Sequence, residues 1–301
     1  MRTRELTAQL SVRLSRRRAA SLLRGLGRFA RAKPLGAVGG AIVALTLLMA
    51  VLADVIAPYG MNETNLRDRL APPSARHWFG ADEIGRDVFS RVVYGARISM
   101  YVGLGAVLLG ISAATVLGAV SGYFGGKLDL FLQRLVDAWM SIPGLVVVLV
   151  VMSLIGPGLW NVIFALALGQ AFVQSRVVRS AALTVTEQQY IEAARALGAT
   201  DLRVLGRHVL PNIGAPVLIV ATNALAFVIL AEAAVSFLGF GVPPPEPSWG
   251  GMLSGTGRQY MERAIWMALG PGVALSLAVF GFNMLGDALR DVLDPRLRGS
   301  R

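Results

Sequence analysis

Tyr190-Ile191-Glu192-Ala193-Ala194-Arg195-Ala196-Leu197-Gly198-Ala199-Thr200-Asp201, running on to His208-Val209-Leu210-Pro211-Asn212, is a polar, helix-prone stretch enclosed by two long apolar runs. Its spacing predicts two short helices. Residues 188–197 favour helix and Gly198 supplies a positive-φ stop; Thr200 or Asp201 caps a second helix toward Val209, which Pro211 ends. Ala193 and Ala194 leave almost no side-chain bulk at the centre of the first helix, so a partner can press close to its backbone. Glu192 and Arg195 flank that small surface with charges that fix register. Such a segment between hydrophobic spans reads as a docking element for something outside the bilayer.

Working outward, apolar residues make up 54% of the 301 positions and charged residues 16%, against about 25% charged in an ordinary soluble domain. The chain is therefore expected to be an all-α, polytopic membrane protein. The net charge of +11 does not imply nucleic acid, because the basic residues sit in segments between apolar runs, not on one folded face. Cysteine is absent, which excludes disulfides and thiol chemistry, and the two histidines, His77 and His208, are too far apart in sequence for a histidine metal cluster.

Six apolar runs meet the roughly 20-residue length that a bilayer demands: 35–56, 98–124, 136–155, 159–178, 216–238 and 264–285. The corresponding organisation is a basic arm at 1–34, a first membrane helix at 35–57 and a hydrophilic loop at 58–97. A core of five helices follows at 98–286, with the opening stretch in a loop at 179–215, and a tail at 287–301. In the arm, ten Arg/Lys and one acid over residues 1–33, with Leu6, Leu10 and Leu14 at helical spacing, fit either an amphipathic helix on an anionic leaflet or a plain charged flank. Gly103, Gly105, Gly110, Gly118 and Gly122 allow close helix packing in the second run. Gly156-Pro157-Gly158 turns the third run back on the fourth, and Pro143 bends the third or sits in its first turn.

Arg and Lys counts orient the bundle. With the N-terminus inside, 21 of the 29 fall in inner segments, so both termini and the 176–212 loop are expected to be cytoplasmic and the 58–97 and 240–263 loops to face outward. In the first outward loop Trp78 and Phe79 fit an aromatic belt, with Asp82, Arg86 and Asp87 in local ion pairs. Asp137 and Asp287 are expected to cap helices or pair with Arg134 and Arg290.

The opening stretch resembles the cytoplasmic Glu-Ala-Ala motif of the permease subunits of ATP-binding-cassette importers. Glu192, Ala193, Ala194, Gly198, Leu210 and Pro211 carry the likeness, and His208 stands where the motif has an aliphatic residue. Residues 79–91, 94–99, 236–244 and 247–250 resemble the second permease type of the dipeptide, oligopeptide and nickel branch. The resemblance implies the type I importer fold and a multi-pass place in a bacterial or archaeal inner membrane. It also implies a second, non-identical permease, two cytoplasmic ATPases that bind ATP and magnesium, and an extracytoplasmic substrate-binding protein. In that assembly Tyr190, Glu192, Ala193, Ala194, Leu197, Gly198, Leu210 and Pro211 would couple the bundle to an ATPase. The cargo implied is a di- or oligopeptide, with nickel or another small solute as the alternative.

Glu232 is the carboxylate well inside a span, and such groups are costly enough in lipid to imply a purpose. Either it lines a translocation cavity, or it is held by an inter-helix hydrogen bond or an arginine. No phosphate-binding Gly-x-x-x-x-Gly-Lys-Ser/Thr run, Gly-x-Ser-x-Gly or His-Glu-x-x-His pattern occurs, so neither a resident cofactor nor catalysis by this chain is expected. A membrane-embedded hydrolase would need a carboxylate pair or Ser/His dyad at depth. A stand-alone secondary transporter would leave the docking loop without a purpose.

Overall fold

The computed structural model describes residues 27–293 except 28 and 261; the basic arm expected at 1–34 falls largely outside them. Among the described residues every element is helical, apart from one isolated bridge between Ala81 and Asp87. A bilayer leaves no water for backbone groups, so a helix, which pairs its own N–H and C=O groups, is the economical way across. Five helices are long and apolar enough to cross: α1 (Pro34–Val51), α3 (Val88–Phe124), α6 (Leu159–Thr186), α10 (Gly214–Phe237) and α13 (Trp266–Leu293). The turn of helix Ala53–Ile56 after α1 is α2.

The run expected as one span at 136–155 is broken instead. Helix α4 (Gly126–Met140) meets α5 (Gly144–Ile155) at an 88° bend, and the pair makes a sixth crossing only if counted as one. Pro143 causes the break: it lacks an N–H and disfavours helix at Ile142 before it, and it stands at the N-cap of α5. The second span also departs from expectation, since its helix begins at Val88 and not near 98. The Asp87 carboxylate accepts from the Ser90 backbone N–H at 2.7 Å and starts the helix there. Helix α6 likewise runs on to Thr186, shortening the 179–215 loop.

Helices α3 and α6 form the most extensive pair. At Gly110 a Cβ would sit 2.7 Å from the Ala167 carbonyl oxygen, and at Gly118 2.6 Å from that of Ser175. Any side chain there would push the backbones apart, so glycine sets the spacing. Around this pair one apolar core collects Val102, Ile111, Met152, Val162, Leu166 and Val228, and a second joins α1, α3, α10 and α13 through Val43, Met100, Ile229 and Phe282. Outward-facing Leu45, Leu48, Leu108 and Leu154 stay exposed, as a lipid-facing surface requires.

The two ends of the bundle differ. At one end residues 57–87 fold tightly against the start of α3. His77 lies between two carboxylates, Nδ1 2.9 Å from Asp87 and Nε2 3.4 Å from Asp68, and Asp82 accepts from Arg86 Nε at 2.5 Å. Trp78 and Phe79 pack on Phe89 at 4.8 and 5.2 Å. Helix α11 (Trp249–Leu253), followed by the short α12 (Gly255–Gln259), is wedged in at the same end. Trp249 is fully buried and donates from Nε1 to the Val92 carbonyl at 3.0 Å. The opposite end carries the 187–213 segment.

Candidate functional site

That opposite end is built from helix α7 (Gln189–Ala196), helix α8 (Asp201–Val204), a π-helical turn at Leu205–Val209 and helix α9 (Leu210–Asn212). Gly198, at φ +83°, ends α7. Its N–H donates to Arg195 O at 2.9 Å and that of Ala199 to Ala194 O at 3.0 Å, the paired bonds of a Schellman stop. The second helical run stops one residue past Pro211, at Asn212.

One residue anchors α7. Ile191 is 0% exposed, packed with Val204, Leu205 and Val209 and with Tyr123, Val178 and Ala182 at the ends of α3 and α6. Tyr123 then locks both short helices: its Oη donates to Asp201 at 2.7 Å, and the Arg195 guanidinium lies 4.9 Å over its ring. Arg195 therefore turns back to the bundle. Outward, Glu192 and Ala193 are exposed, Ala194 is half-buried, and Tyr190, Leu210 and Pro211 are exposed. Leu197 is 89% and Leu202 83% exposed. Two bare leucines on a polar, charged end make an apolar surface that nothing among the described residues covers.

Below the short helices, Arg179 holds Asp129 with two bonds, Nε at 2.6 Å and Nη2 at 2.5 Å, and the Ser121 hydroxyl donates to the same carboxylate. A bidentate pair fixes orientation as well as distance, so α3, α4 and α6 are tied together beneath the α7 platform. Asp137 pairs with Arg134 at 3.6 Å and also with Arg176. Asp287 and Arg290 form no ion pair among the described residues.

A cavity of about 1120 Å³ opens between the α4–α5 elbow, α6 and α10. Its wall is mostly apolar, with Gln170, Gln174, Asn212 and Asn223 as its carboxamides and Arg290 as its charged group among the described residues. Glu232 does not line it. Ala231 does, and Glu232, about 100° further round α10, is 0% exposed. Its carboxyl accepts from Ser236 Oγ at 2.8 Å and Ser99 Oγ at 3.4 Å, and Ser248, the N-cap of α11, lies 3.4 Å from Ser236. The inter-helix hydrogen bond is thus the arrangement found, joining α3, α10 and the α11 wedge.

Five spanning helices and a bent helix pair, with this helix–turn–helix end, recur in known proteins. The family described as "Binding-protein-dependent transport system inner membrane component" matches residues 107–299, and "N-terminal TM domain of oligopeptide transport permease C" matches residues 21–73. The chain belongs to the first of these families. Among the permease's relatives, the dipeptide transport system permease protein DppC of Alkalihalophilus pseudofirmus is 40% identical over 88% of this chain and 86% of its own. The oligopeptide transport system permease protein OppC of Bacillus subtilis is 37% identical over 89% and 88%. An inward-facing structure of the MetNI methionine ABC transporter shares the fold, with a TM-score of 0.55 at 20% identity over 68% of this permease and 96% of that chain.

Sequence reasoning reached the outward residues of the permease's α7 but missed what supports them. Tyr123 gave no signal, since it closes an apolar run like any interfacial aromatic. Asp129 did give one: it is the acid between Lys127 and Arg134 in the short stretch after the second apolar run.

Proposed function

We propose that the chain is the second-type permease subunit of an ATP-driven importer, forming the path for di- or oligopeptides handed over by an extracytoplasmic binding protein. The observation that carries this is the rigid α7 platform, anchored inward by Ile191 and Tyr123 and exposing Ala193, Leu197 and Leu202. In this reading both termini and the platform are cytoplasmic, and the platform fits a cleft on one of two partner ATPases that bind ATP and magnesium. Closure of the ATPase pair moves α7, and α7 moves α3 and α6 because it is packed onto them, so that alternating access follows from displacement by contact. ATP biases the equilibrium by binding one state of the assembly preferentially. A second, non-identical permease closes the open side of the cavity. The peptide assignment draws on the printed functions of the relatives.

The test is uptake of a radiolabelled dipeptide by cells that lack this chain and are then supplied with it. Uptake returns with the wild type and is lost with Gly198→Asp, which cannot keep the left-handed stop without strain, while the variant stays in the membrane fraction. Undiminished uptake with Gly198→Asp contradicts coupling through the platform. Restored nickel uptake without dipeptide uptake contradicts the peptide assignment.

A further inference from the structure

The large cavity carries an unusual set of polar groups. Gln170 and Gln174 lie four residues apart on one face of α6, and Gln174 Nε2 donates to Gln170 Oε1 at 3.2 Å. That bond leaves the Gln170 amino group and the Gln174 carbonyl without a partner among the described residues, and Gln170 is only 5% exposed. Across the cavity Asn223 on α10 makes no hydrogen bond among the described residues. No buried side-chain nitrogen or oxygen lacks a partner among the described residues, so the free amide groups of Gln170, Gln174 and Asn223 are open to the cavity, whose remaining wall is mostly apolar.

We propose that Gln170, Gln174 and Asn223 bind the main-chain amides of a peptide in transit, as a neutral donor–acceptor rail that reads backbone and ignores side-chain charge. The inference rests on the peptide-import reading above. Three features single out this occupant. A helix of a partner chain has its backbone groups paired internally, whereas an extended peptide brings unpaired N–H and C=O groups that match a carboxamide. The two glutamine carboxamides touch at 3.2 Å, so the free amino group of one and the free carbonyl of the other form a single donor–acceptor pair, the complement of the N–H and C=O that one residue of an extended chain presents on the same side. Finally, a wall whose described residues include no carboxylate or ammonium group holds no peptide by such a charge. Weak, uncharged binding suits a path, because what enters must also leave. Among the described lining residues Arg290 alone is charged, on the final turns of α13.

The test uses the intact importer, with its partner permease, ATPases and binding protein, in liposomes. The probes are trialanine and its analogue methylated on both peptide nitrogens, each supplied on saturated binding protein. The wild type is expected to move the methylated peptide about fivefold more slowly, the effect of roughly one net hydrogen bond. Gln170→Met and Gln174→Met should slow trialanine to the rate of the methylated peptide and leave the latter unchanged. Asn223→Leu, on a different helix, should act in the same sense. Peptides bearing Lys or Glu should show the same wild-type-to-variant ratio as trialanine. Equal slowing of both probes, or no discrimination by the wild type, overturns the proposal. So does loss of the partner permease from the purified variants, which would assign the carboxamides to subunit contact. If the wild type moves neither peptide on ATP, the import reading itself fails and this inference falls with it.

Discussion

Replacing Ile191 by alanine should detach the α7 platform without unfolding the bundle. Ile191 is fully buried, and its neighbours come from the platform itself and from the ends of α3 and α6. Truncating a buried isoleucine to alanine costs about 2–5 kcal/mol, depending on how far the site can collapse. Val204, Val209 and Ile213 are themselves buried around the site, so collapse is limited and the cost stays within that range. At about 1.4 kcal/mol per factor of ten, even the low end multiplies the opened population roughly 30-fold. Hydrogen exchange in detergent or nanodiscs reads this directly: amides of α7 should exchange at least about 30-fold faster, while those in the middle of α3 and α6 keep their wild-type rates. Wild-type exchange across α7, or equal acceleration through α3 and α6, would refute the reasoning. The first would mean that Ile191 is not the anchor, and the second that the platform is not a separable unit.

Two further outcomes follow from the packing. Gly110→Val or Gly118→Val should destabilise the bundle by the roughly 1–3 kcal/mol typical of overpacking, read as a lower melting temperature and monodisperse yield, since added atoms meet the Ala167 and Ser175 carbonyl oxygens; Gly214→Ala, with nothing within 4 Å, should not. Glu232→Gln, which keeps hydrogen-bonding groups toward Ser99 and Ser236, should melt like the wild type, whereas Glu232→Leu strands buried hydroxyls at about 1–3 kcal/mol and should melt lower. Equal melting of the Gln and Leu variants would remove the carboxyl–serine knot from the account.

The parts of this fold that were legible in sequence are those that depend on local composition. Span positions follow from apolar length, the Gly198 stop from the need for positive φ, and the α4–α5 break was signalled by Pro143, although its 88° angle was not. What could not be read depends on distant neighbours. The start of α3 at Val88 is decided by the Asp87 cap and by a loop folded around His77. For Glu232 the sequence left a cavity-lining role and an inter-helix hydrogen bond both open, because its partners Ser236 and Ser99, with Ser248 behind Ser236, come together from three helices only on folding. The carboxamide wall escaped notice for the same reason: Gln170 and Asn223 lie in different helices and become neighbours of one cavity only after folding.

The central claim is that the exposed face of α7 is gripped by a separate ATPase on the cytoplasmic side. The chain has no cysteine, so Leu197→Cys introduces a single thiol at the C-cap of α7, where Leu197 is 89% exposed. In the intact assembly, a short bifunctional reagent should join this thiol to an ATPase subunit, and a membrane-impermeant maleimide applied from outside sealed cells should not reach it. Labelling from outside, or a thiol that stays free of the ATPase in an assembly that imports, would contradict the account.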